Sequence, residues 1–71
     1  MYVLKHPITK KYMDKSGAFT ELDISSKDVW IFYDLEKART EVSEINKHPE
    51  MYLIFNHKVK IVPLQITEVE D

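Results

Sequence analysis

Seventy-one residues with no cysteine make one domain, spanning 1–71, that has neither disulfides nor thiolate metal sites to stabilise it. Ten basic residues against twelve acidic ones leave a net charge of −2, which argues against a dedicated nucleic-acid binder, since such domains are usually basic overall. No apolar run approaches the roughly 18 residues of a membrane span, and the opening "MYVLKHPITKK" lacks the order of regions of a signal peptide. A cytoplasmic protein with no membrane partner is the expectation.

In chain order, "YVLKH" (residues 2–6) reads as a first strand and "KKYMDK" (10–15) as a second, joined by a hairpin through residues 7–9. Gly17, the only glycine, marks a turn that needs positive φ. Residues 20–28, "TELDISSKD", are polar and rich in turn formers, and read as a loop. "VWIFY" (29–33) is a third strand by its β-branched and aromatic content. The period then changes. Leu35, Ala38, Val42 and Ile45 recur as one helical stripe, with Asp34 as N-cap and Glu36 in the first turn. Pro49 follows, so the spacing predicts a helix over 35–47. "MYLIF" (51–55) is a fourth strand, "NHK" (56–58) a tight turn, and residues 59–69 a long fifth strand with a bulge or bend near Pro63. The expected class is α+β: a small antiparallel sheet of about five strands, β-β-β-α-β-β, with one helix packed on one face.

Two of these strands are apolar on both faces. Alternation divides Val29, Ile31 and Tyr33 from Trp30 and Phe32, and Met51, Leu53 and Phe55 from Tyr52 and Ile54. Only one set on each strand can meet the helix. The second face is then closed by curling of the sheet, by a second copy, or by another partner. The favoured reading is curling plus a homodimer, with Trp30, Phe32, Tyr52 and Ile54 as the interface; each would forfeit about 1.5–3 kcal/mol if left in water.

Catalytic chemistry finds no foothold in the motifs. A single glycine excludes the glycine-rich phosphate loops, and neither a G-x-S-x-G elbow nor a cysteine nucleophile exists. His6, His48 and His57 have no ligand spacing that suits a metal. Glu36, Glu41 and Glu44 alternate with Lys37, Arg39 and Lys47 as a solvated helix face. The expectation is a protein that is not an enzyme and uses no cofactor. Charge is uneven, however: residues 1–20 hold four lysines against Asp14 alone. Lys5, Lys10, Lys11 and Tyr12 on the first hairpin therefore form an alternative nucleic-acid site.

"YVLK" at 2–5, "KKY" at 10–12, "FYDLEKA" at 32–38 and "KIVPLQITEVE" at 60–70 together resemble the short accessory proteins encoded by phages and prophages of Gram-positive bacteria. Those proteins commonly carry an alanine where this chain has Val29, and the "MYLIF" segment departs from their simplest version. The shared motifs are structural. The resemblance implies a small non-catalytic module that binds a host or phage protein in the host cytoplasm and modulates or inhibits it.

Overall fold

The computed structural model describes residues 1–64. In chain order these form β1 (Tyr2–Lys5), β2 (Tyr12–Met13), β3 (Phe19–Thr20), α1 (Leu35–Asn46) and β4 (Lys60–Pro63). The strands join in one antiparallel sheet ordered β3-β2-β1-β4. The α+β class with a single helix holds. The sheet has four strands among the described residues rather than five, and two of the expected strands are replaced by other structures.

Register decides which residues face α1. Leu4 lies opposite Ile61, and Met13 opposite Phe19. Leu4 and Met13 are buried with Ala38 and Ile45 of α1, and Tyr2, Phe19 and Ile61 pack against that cluster. By alternation Val3, Lys5, Tyr12, Thr20, Lys60 and Val62 leave the other face.

The helix forms for the reasons its sequence predicts. The Asp34 carboxylate accepts from the Glu36 N–H at 2.9 Å, and the stripe turns Ala38 and Ile45 fully inward. It ends at Asn46, with Lys47 as C-cap. Asn46 Oδ1 then accepts from the Val59 N–H at 3.4 Å, which ties the approach to β4 to the end of α1.

Gly17 has φ 89° in the β2–β3 turn. Asp14 organises that turn: its carboxylate accepts from the N–H and hydroxyl of Ser16, the Ala18 N–H and the Thr20 hydroxyl. These donors, the Ser16 hydroxyl first, hold the Asp14 carboxyl below its ordinary value.

Residues 29–33 do not form a regular strand. Beyond the Lys5–Tyr12 pair, β1 and the end of β2 part, and this segment slots between them. Val29 bridges to Asp14 and Phe32 to Tyr2. The Trp30 N–H donates to the Met13 carbonyl at 3.0 Å, while Phe32 and Tyr2 exchange two bonds at 2.8 Å. A segment that leans on two different strands builds a ladder with neither.

Residues 51–55 are not a strand either. Ile54 N–H donates to the Pro49 carbonyl at 2.9 Å and Leu53 N–H to the Glu50 carbonyl at 3.3 Å. That pair of bonds is a Schellman motif closing a single helical turn. Leu53, at its left-handed position, has φ 58°, and Phe55 has φ 51°. Two left-handed residues within three cannot belong to a pleated strand.

The fifth predicted strand is confined to Lys60–Pro63 among the described residues, and positions 65–69 of that prediction lie outside them. No bulge occurs at Pro63, which pairs in continuous register with Tyr2. The Leu64 N–H points inward to the Met1 carbonyl at 2.7 Å. The nitrogen of Pro63 therefore faces the open edge of the sheet, where a missing donor costs no ladder bond.

Candidate functional site

The four residues expected at an interface turn toward this chain's own interior. Phe32 and Ile54 are buried in the core cluster, and Trp30 and Tyr52 pack against it, half-buried. Trp30 and Phe32 stack at 4.6 Å, and Tyr52 meets Phe19 edge-on at 6.2 Å. The cause is parity. Phe32 bridges to Tyr2, which shares the helix side, so Trp30 goes inward with it. The surface is supplied by the opposite sets: Tyr33 is 77% exposed, Met51 73%, Leu53 61% and Phe55 60%.

Met51, Leu53 and Phe55 rise from a loop with a fixed base. His6 is only 3% exposed. Its Nδ1 accepts from the N–H groups of Ile8 and Thr9, both at 3.1 Å. Those two accepted bonds assign the ring proton to Nε2, which donates to the Tyr52 carbonyl at 2.8 Å. Phe19 meets the imidazole edge-on at 5.1 Å. The first hairpin turn and the base of the loop are thus clamped through one buried side chain. The sequence held a signal for this surface in the other alternating set of "MYLIF", but not the side on which that set would emerge.

Two open grooves flank Tyr33. One, of about 480 Å3, runs between Trp30 and Tyr33 and the first turns of α1, with Lys37, Thr40 and Glu41 along it. The other, of about 380 Å3, is lined by Lys15, Lys27, Val29, Trp30, Ile31 and Tyr33. Of the alternative set, Lys5 and Tyr12 are register partners, with the ammonium 5.7 Å from the ring centroid. Lys10 and Lys11 sit at the hairpin turn instead: Lys10 has φ 66° and donates from Nζ to the Pro7 carbonyl at 3.1 Å, and the Lys11 carbonyl accepts from His6 N–H at 2.8 Å.

His48 and His57 are exposed. Among the described residues no group of three or more His, Asp or Glu side chains is arranged to hold a metal ion, and no helix is long and apolar enough to cross a membrane. Comparison with protein-family models, with curated proteins and with solved structures finds no match to this chain.

Proposed function

We propose that this protein is a small non-catalytic protein-binding module that docks through Met51, Leu53 and Phe55. The observation that carries this reading is the conformation of their loop. A left-handed backbone costs a non-glycine residue roughly 1–2 kcal/mol, and Leu53 and Phe55 both adopt it. Each large apolar side chain left in water forfeits a further 1.5–3 kcal/mol or so. Backbone strain and apolar exposure at the same residues mark a surface kept for contact rather than for folding. The His6–Tyr52 bond holds the base of the loop, so little ordering entropy opposes docking.

The first partner to test is a second copy of the chain, because small domains commonly gain stability by association. The motif resemblance supports a modulator or inhibitor of a host or phage protein. Sedimentation velocity over a concentration series tests the reading. The expected result is a concentration-dependent dimer that Phe55→Asp abolishes, leaving a monomer with an unchanged far-ultraviolet circular dichroism spectrum whose melting midpoint no longer depends on protein concentration. If the wild-type chain stays monomeric, and no protein retained from host lysate is lost on Phe55→Asp, the reading fails.

A further inference from the structure

The sheet face turned away from α1 is covered at Val3 and Val29, which are buried, and carries beside them a row of side chains that the docking loop does not use. Thr20, Tyr12, Lys5 and Lys60 are register partners across β3, β2, β1 and β4 in turn. Register partners leave the same face, and strands lie about 4.8 Å apart, so the row spans roughly 14 Å. Two lysines stand side by side in it. Like charges directly opposite one another destabilise a sheet. The ion pairs among the described residues, Glu36–Arg39 and Glu44–Lys47, both lie on α1, so neither Lys5 nor Lys60 has a described carboxylate partner. The Tyr12 ring beneath the Lys5 ammonium, at 5.7 Å, holds that charge over the sheet.

The same face supplies an aromatic surface. Val29 lies opposite Asp14 and so shares this side. With Lys15, Lys27 and Tyr33 it lines the 380 Å3 groove, and Tyr33 is the most exposed large apolar side chain described. Asp14, a carboxylate on this face, is engaged by Ser16, Ala18 and Thr20. Of the α1 glutamates, Glu41 lines the other groove beside Tyr33, with Asp34 and Lys37, while Glu36 and Glu44 pair with Arg39 and Lys47 on the helix. A net-acidic chain gathers Lys5, Lys60, Lys15 and Lys27 with an exposed ring on this side of the sheet.

We infer that this face binds single-stranded nucleic acid, with Lys5 and Lys60 on the phosphates, Tyr33 stacking a base, and Lys15 and Lys27 flanking it. Phosphates relieve the repulsion between the paired lysines. An exposed ring with two lysines on one flank suits unpaired bases, whose faces are free to stack. A duplex hides those faces and is read by elements that enter a groove. An acidic peptide would satisfy the lysines and leave Tyr33 unused. The inference does not rest on the docking loop, and Phe55→Asp leaves it unchanged.

The test is fluorescence anisotropy with a labelled oligothymidylate of about 15 nucleotides, repeated from about 50 to 200 mM salt. Binding is expected at low salt and weakens as salt rises. Lys60→Glu lowers affinity about tenfold or more and reduces the salt slope by at least about 1. The same substitution raises the melting midpoint, because it replaces a like-charge pair with an opposite one. Loss of binding in a better-folded protein cannot be ascribed to unfolding. Tyr33→Ala weakens binding without changing the salt slope, and Arg39→Glu on α1, a residue that lines neither groove beside Tyr33, leaves binding intact. Three outcomes overturn the inference: no binding at the lowest salt, an equal loss with Arg39→Glu, or polyglutamate displacing the oligonucleotide while Tyr33→Ala has no effect. The last would make an acidic protein the partner.

Discussion

Leu53 shows how one residue can be at odds with its own backbone. It occupies the left-handed position of a Schellman motif, where glycine is the usual residue. Its side chain is mostly in water, so replacing it gives up little packing. Leu53→Gly removes a steric cost of roughly 1–2 kcal/mol and adds about 0.5–1 kcal/mol of backbone entropy. The expected net effect is stabilisation by about 0.5–1 kcal/mol, read from urea unfolding. A loss of stability would mean that Leu53 packs against the domain rather than serving an outside contact. His6 shows the reverse economy. Every polar atom of the ring is used: Nδ1 organises its own turn through Ile8 and Thr9, and Nε2 ties that turn to Tyr52, forty-six positions away.

At the scale of elements, the short β2–β3 hairpin depends on Asp14 more than on its strands, which are two residues each. The ionised carboxylate accepts four hydrogen bonds and its pKa is lowered, chiefly by the Ser16 hydroxyl. A carboxyl depressed in the folded state contributes stability above its unfolded value, and that contribution is lost as pH falls through the folded value. Wild-type stability therefore declines below about pH 3.8, the ordinary value for this group. Asp14→Asn is expected to melt lower than wild type at neutral pH, with the gap closing as the medium is acidified below that point. Thermal melts at neutral pH and at the acid end of the range check this; a gap independent of pH would show that the carboxylate charge plays no part. The helix was the most legible element. An N-cap, an apolar stripe and a following proline are all local signals, and α1 departs from the predicted span by one residue. Residues 29–33 and 51–55 were least legible, because β-branched and aromatic content describes a half-buried extended segment without saying whether it has one partner strand, two, or none.

For the whole molecule, the wedge formed by residues 29–33 joins the sheet to the core. Phe32 bonds to Tyr2 through its backbone, stacks on Trp30 and lies in the central cluster with Leu4, Ala38 and Ile45. Phe32→Ala is expected to cost about 3–5 kcal/mol, a large share of the roughly 5–15 kcal/mol that holds a domain folded. Chemical denaturation gives the value directly. A cost below 1 kcal/mol or so would mean that the wedge is peripheral. The same packing explains the two surfaces. The exposed side chains of residues 51–55 and the lysine row of the sheet lie away from the face of the single helix that packs on Leu4, Met13 and Ile54.

The sequence by itself determined what depends on near neighbours: the Asp34 cap, the helical stripe, the turn at Gly17, the first hairpin, and the division of each apolar run into two alternating sets. Tertiary structure alone decided which set of each run points inward. That choice follows from the bridge between Phe32 and Tyr2 and from the Schellman motif that turns Ile54 into the core. It also brought Lys60 beside Lys5, fifty-five positions away in the chain. Periodicity is a local property and is unchanged when a segment is turned over. Sidedness is fixed only when a distant strand supplies the hydrogen bonds.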